Sequence, residues 1–174
     1  MYYEQLRQAK AELTGPGGAF EVIEAPVLGQ MLRCYKNVPP SARELWLSTI
    51  AYADRPYLVF GDERISYGEA HRIVNAVAGW MVEQGVKPGD RVAIAMRNYP
   101  EWMLIYWACL SSGIAAIGMN AWWTAEEMDY ALNDAAPKLL FLDAERAARL
   151  SEKPGMADGI PLIGVRMDAA QSAL

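Results

Sequence analysis

Serine, histidine and carboxylate side chains are among the groups in this chain able to attack an electrophile or move a proton, and their spacing decides whether they can. Ser111 and Ser112 follow the apolar run Trp102–Leu110. A serine hydroxyl becomes a nucleophile only with a general base in reach, usually an imidazole oriented by a third group. The chain has one histidine, His71, on the margin of an amphipathic stretch with nothing around it to supply a triad. It reads as a helix-surface side chain making a local hydrogen bond. Glu126, Glu127 and Asp129 form a carboxylate cluster, but they fall in the first turn after a helix cap, where negative charge complements the helix dipole. General acid–base work needs a burial that this pattern does not suggest.

Phosphate chemistry fares no better. Gly113 and Gly118 have a Walker-like separation, yet Met119-Asn120 follow where Lys-Ser/Thr is required. The pair also brackets a strand, whereas a phosphate loop has to join a strand to a helix so that backbone N–H groups converge. No G-x-G-x-x-G occurs, which argues against a dinucleotide domain. Cys34 and Cys109 are far apart, without His or a second Cys at ligand spacing. This argues against a zinc site of Cys and His, no disulfide framework is indicated, and both thiols are expected reduced, as in a cytoplasmic protein. No catalytic, cofactor-binding or metal-ligating residue is therefore assigned. Trp122-Trp123 stays open: Trp123 suits a hydrophobic staple with Met128, and the second ring can pack in the core, line an apolar substrate channel or anchor a subunit contact.

The elements that position these residues follow from capping and periodicity. A short helix over Glu4–Leu13 is broken by Thr14-Gly15-Pro16-Gly17-Gly18, and the first forty residues are otherwise loosely patterned. Ser41-Ala42-Arg43-Glu44 is a capping box opening a helix to about Ala53, with Leu45, Trp46, Thr49 and Ile50 on one side. Tyr57–Phe60, the turn Gly61-Asp62 and Arg64–Ser66 read as a hairpin. The box recurs at Ser66-Tyr67-Gly68-Glu69, and the helix beyond it places Ala70, Ile73, Val74, Val77, Trp80 and Met81 on one face. Gly85 suits a left-handed C-terminal position.

A strand Arg91–Met96 leads to a helix capped by Asn98 and apolar on nearly every side through Leu110, which has to be covered over most of its surface. A short buried strand Ile114–Ile117 follows, then a third box at Thr124-Ala125-Glu126-Glu127. Pro137 closes that helix. Strand Lys138–Leu142, helix Ala144–Leu150 and strand Ile160–Val165 complete the series. Strands separated by helices of this length imply right-handed crossovers and a largely parallel sheet, an α/β fold with flanking helices. Residues 1–54 are expected to form a helical or irregular lead segment and residues 55–174 an α/β subdomain.

At 174 residues, 53% hydrophobic and 21% charged, the composition is that of a globular protein with one real core. The net charge of -5 and the absence of a basic block disfavour a nucleic-acid or anionic lipid surface. The longest apolar run is far short of the ~20 residues a membrane-spanning helix needs.

From Arg55 to Leu150 the order of these signals resembles the start of the large N-terminal domain of the adenylate-forming, AMP-binding enzymes, a superfamily that contains acyl-CoA synthetases, luciferases and peptide-synthetase adenylation domains. The matching pieces are Ile65-Ser66-Tyr67-Gly68-Glu69, Gly85-Val86-Lys87-Pro88-Gly89-Asp90-Arg91-Val92, Asn98-Tyr99-Pro100-Glu101-Trp102, and Gly113-Ile114-Ala115-Ala116-Ile117-Gly118-Met119-Asn120. Glu127, Leu132 and the strand Lys138–Leu142 complete them. Asn120-Ala121-Trp122-Trp123-Thr124 is most similar to the fatty-acyl or aryl CoA ligase branch. Ala70 stands where the family commonly has Leu, and Gly118 where Pro is usual. The resemblance implies a two-step ligation: carboxylate plus ATP gives an acyl-adenylate and pyrophosphate, and the CoA thiol then displaces AMP. ATP, Mg2+, CoA and a carboxylic acid are the cofactors and partners implied for a full-length enzyme. The family's phosphate loop, adenine-binding stretch, magnesium-associated Glu, ribose-binding Asp and catalytic Lys have no counterpart in residues 1–174, so the chain alone is expected to be inactive. Its sheet edge and apolar helix faces, which would pack on the remainder of a full-length enzyme, are then expected to be patched by homodimerisation or left exposed. The alternative is a non-catalytic interaction or scaffold module with the same subfold.

Overall fold

The computed structural model describes residues 2–168, which fall into two compact units divided between Ser41 and Ala42. The first contains helix α1 (Tyr2–Thr14) and an antiparallel hairpin of β1 (Val22–Val27) and β2 (Gln30–Tyr35). The weak patterning of this stretch does not announce the hairpin. Its two-residue turn places Leu28 at φ 48° and Gly29 at φ 81°, and a leucine at positive φ lacks the Asn-Gly or Asp-Gly signature of such turns. None of the described residues of this unit is buried.

The second unit starts at Ala42, thirteen residues ahead of the boundary expected at residue 55. Helix α2 (Ala42–Ser48) explains the difference, because it buries Trp46 to 1% exposure. The helix also stops earlier than its periodicity suggests, passing into a 3-10 turn at Thr49–Tyr52, and Leu45 and Ile50 stay exposed. The hairpin β3 (Pro56–Phe60) and β4 (Glu63–Ser66) forms as expected, with Gly61 at φ 55° in its turn.

Helix α3 (Tyr67–Glu83) opens on the full capping box of Ser66 and Glu69. Strand β5 (Arg91–Ala95) and helix α4 (Pro100–Ser111) follow. The cap of α4 is Tyr99 rather than Asn98, with Pro100 in the first turn and no side-chain cap bond. Proline lacks an N–H and has its φ preset, so it starts a helix without one. Strand β6 (Ala115–Gly118), helix α5 (Ala125–Ala135) with the Thr124–Glu127 box, strand β7 (Leu139–Leu142), helix α6 (Ala144–Leu150) and strand β8 (Leu162–Gly164) complete the unit.

The four-stranded sheet runs β6-β5-β7-β8, all parallel. Because strand side chains alternate, it builds two cores. Val92, Ile94, Leu139 and Phe141 pack with α3, α4 and Trp46 on one face, while Ala93, Ala95, Leu140 and Leu142 pack with α5 and α6 on the other. Strand β6 is an edge, with Ala115 and Gly118 exposed, rather than the buried strand its apolar run suggests. It has a partner on one side only, so its apolar residues do not fix its burial.

Candidate functional site: a cleft at the carboxyl end of the sheet

The chain leaves β5 toward one face of the sheet, entering α4, and leaves β6 toward the other, entering α5. Neighbouring parallel strands whose connections diverge in this way open a crevice beyond their carboxyl ends, the usual ligand position in open α/β sheets. A cavity of about 620 Å3 lies there, lined by Met96–Tyr99 after β5, Gly118–Trp123 around the end of β6, and Phe60 and Trp102.

Aromatic rings dominate its walls. Phe60 and Tyr99 meet edge to face at 5.7 Å, and Trp102 stacks on Tyr106 at 5.5 Å. The Trp102 ring comes so close to β6 that a Cβ on Gly118 would lie 3.2 Å from its Cζ2. Glycine at 118 therefore leaves room for that ring. The Arg97 guanidinium lies 4.1 Å from the centre of the Trp122 ring, a cation–π contact. Trp122 is 71% exposed, whereas Trp123 is half-buried against the core behind α5. Neither Trp belongs to the fully buried interior.

A buried ion pair underlies both loops. Asp143 caps α6 by accepting from the Arg146 N–H. Its carboxylate also accepts the Arg97 backbone N–H at 2.9 Å and pairs with the Arg146 guanidinium at 2.9 Å. Arg146, 1% exposed, donates onward to the Ala121 carbonyl from Nε at 3.0 Å and Nη2 at 2.5 Å. Arg149 adds bonds to the carbonyls of Ala121 at 2.9 Å and Trp123 at 2.6 Å. Within the loop, Asn120 Oδ1 accepts the Trp122 N–H at 2.9 Å.

The residues weighed for catalysis are not brought together. His71 is buried, not on the helix surface: it stacks on Trp46 at 4.2 Å, and its Nε2 lies 2.9 Å from Thr49 Oγ1. Helix α2 covers it, and burial pulls its pKa below the ordinary imidazole value. Ser111 is also buried; its Oγ has no hydrogen-bond partner, and its carbonyl accepts from Arg43 at 2.6 Å. Ser112 ends α4. Glu127 serves the helix cap and Asp129 pairs with Lys153 at 2.5 Å. Gly113 takes φ 69° against Pro88, turning the chain from α4 into β6. No group of three or more His, Cys, Asp or Glu able to hold a metal occurs among the described residues.

Arg97, Asn120, Asp143, Arg146 and Arg149 are the functional-site residues that sequence reasoning missed. The signal available was Asp143 one residue ahead of the expected helix Ala144–Leu150, which marks a cap. Nothing local tells where the arginines point. The cavity has no Ser, Cys, His, Lys, Asp or Glu in its lining. It offers flat apolar surface, two side-chain amides, a phenol and one guanidinium.

Comparison with known proteins agrees with this architecture. Residues 48–171 match the AMP-binding enzyme family. The chain is 33% identical over 128 residues to the 3-hydroxybenzoate–CoA ligase of Aromatoleum sp. (strain CIB), covering 74% of this chain and 23% of that protein. It is 31% identical over 101 residues to a medium/long-chain-fatty-acid–CoA ligase of Mycobacterium tuberculosis, covering 58% of this chain and 17% of the relative. Among solved structures, the anthranilate CoA ligase AuaEII in complex with anthranoyl-AMP superposes with TM-score 0.69 at 18% identity, over 74% of this chain and 26% of that one. The last likeness concerns the fold: a parallel α/β sheet with flanking helices. The chain thus spans about a quarter or less of the length of these relatives. With the sequence match running from the end of α2 to beyond β8, the chain belongs to the AMP-binding enzyme family.

Proposed function

We propose that this chain is the N-terminal part of an ATP-dependent acid–thiol ligase. The whole enzyme would join a fatty or aromatic carboxylic acid to ATP, release pyrophosphate, and pass the acyl group from the adenylate to the CoA thiol with loss of AMP. The family match over residues 48–171 carries this reading. In it, these residues supply scaffold and one wall of a cleft, and the chain by itself adenylates nothing. Stabilising charge in adenylyl transfer takes cations and preorganised donors around the phosphates, and the cleft lining holds a single cationic side chain, Arg97. ATP, Mg2+ and CoA would be bound with groups outside this chain. The same reading has the enzyme work in the cytoplasm; no helix among the described residues is long and apolar enough to cross a membrane.

A chimera tests it. Residues 48–168 replace the corresponding segment of the Aromatoleum 3-hydroxybenzoate–CoA ligase, and pyrophosphate release and thioester formation are measured for the chimera and for the chain alone. The chimera should form thioester and the chain alone should release no pyrophosphate. A folded chimera that makes no adenylate would refute the ligase reading. Turnover by the chain alone would refute its inactivity.

A further inference from the structure

We infer that Arg146 and Arg149 are positioning residues that hold the Asn120–Thr124 loop as a preset wall of the aromatic cleft, with Trp122 braced against Arg97. Three donors converge on one carbonyl, that of Ala121, two from Arg146 and one from Arg149. A fourth bond runs from Arg149 to the Trp123 carbonyl. Charge-assisted bonds of this kind are stronger than neutral ones, and they clasp the backbone on both sides of Trp122. The ring of Trp122, 71% exposed, has little packing of its own to hold it.

The other side of the cleft is tied to the same point. Asp143 accepts the Arg97 backbone N–H while paired with Arg146, so one buried ion pair sets both the backbone that carries the guanidinium and the loop that carries the ring. Glu145 holds Arg149 at 2.7 Å from the outer side. The brace rests on this geometry alone and is independent of the ligase reading.

Two variants of the intact chain test it. Arg149→Met removes two loop bonds and leaves the buried pair whole. The double variant Asp143→Asn with Arg146→Met removes the pair without leaving a buried charge unpartnered. Hydrogen exchange of the Trp122 and Trp123 amides and the six tryptophan indole resonances, with Trp122 assigned through Trp122→Phe, are the readouts. Arg149→Met should speed exchange of the two amides about tenfold and move the Trp122 indole resonance, leaving those of Trp46 and Trp107 in place. Arg149→Lys should recover part of the protection. In the double variant the Arg97 amide should also exchange faster. Unchanged loop exchange and an unmoved Trp122 resonance in Arg149→Met would overturn the proposal. Equal changes at Trp46 and Trp107, in the core on the opposite face of the sheet, would mean general loosening and overturn it equally.

Discussion

Replacing Trp46 tests whether α2 is part of the domain or an ornament on it. The ring is 1% exposed, stacked on His71 at 4.2 Å and Trp107 at 5.0 Å, and tilted against Tyr57 at 5.6 Å. A buried indole removes ~200 Å2 from water, so at ~25 cal/mol per Å2 its full burial is worth up to about 5 kcal/mol. Truncation also leaves a cavity between three rings, and Trp46→Ala should cost about 3–5 kcal/mol. Trp46→Phe separates area from polarity. The indole Nε1 is buried without a hydrogen-bond partner, an arrangement that costs ~1–3 kcal/mol. Phenylalanine gives up roughly a third of the apolar area but removes that orphan donor, so the net change should stay within about 1 kcal/mol. Urea unfolding followed by circular dichroism reads both variants. With a slope of ~2 kcal/mol per M, the Ala variant should lose about 2 M of its midpoint and the Phe variant less than ~0.5 M. An Ala variant as stable as the parent would show that α2 does not belong to the core. A Phe variant as damaged as the Ala variant would show that Nε1 has a partner, such as a buried water.

Two further outcomes follow from titratable groups sealed into the same core. Burial depresses the pKa of His71, so the unfolded chain binds a proton more readily than the folded one. Stability should therefore hold above the unfolded value of ~6.5 and fall as pH drops below it, levelling once the folded histidine is also protonated. His71→Gln should flatten the dependence between pH 5 and 7, and an unchanged slope would refute the assignment. Burial pushes the Cys109 thiol up to about 12, so at pH 8 a disulfide reagent should label no more than one thiol, Cys34, in the folded chain and both after denaturation. Two thiols titrating natively would place Cys109 outside the core.

The parts of the fold legible beforehand are those written in short-range chemistry. Ser66 with Glu69, and Thr124 with Glu127, form the reciprocal bonds expected of capping boxes. Helix Ala144–Leu150 has the expected limits. Gly85 takes φ 82° just beyond α3. Each depends on residues within one helical turn, so neighbours in the chain suffice to determine it. Less local patterns misled. The apolar run at β6 was consistent with either a central or an edge strand, and His71 on a helix margin became buried only because α2 packs over it.

What the amino-acid order determined by itself was therefore the capped starts of α3 and α5 and the succession of strand and helix that makes a parallel sheet. What tertiary structure alone decided was the cleft. Arg146 reaches a carbonyl 25 residues away and Asp143 an amide 46 residues away, and Arg97 meets Trp122 only because β5 and β6 end side by side. A guanidinium on a long flexible stem has no preferred partner in its local sequence. It acquires one when the fold leaves a single arrangement that satisfies its donors away from water.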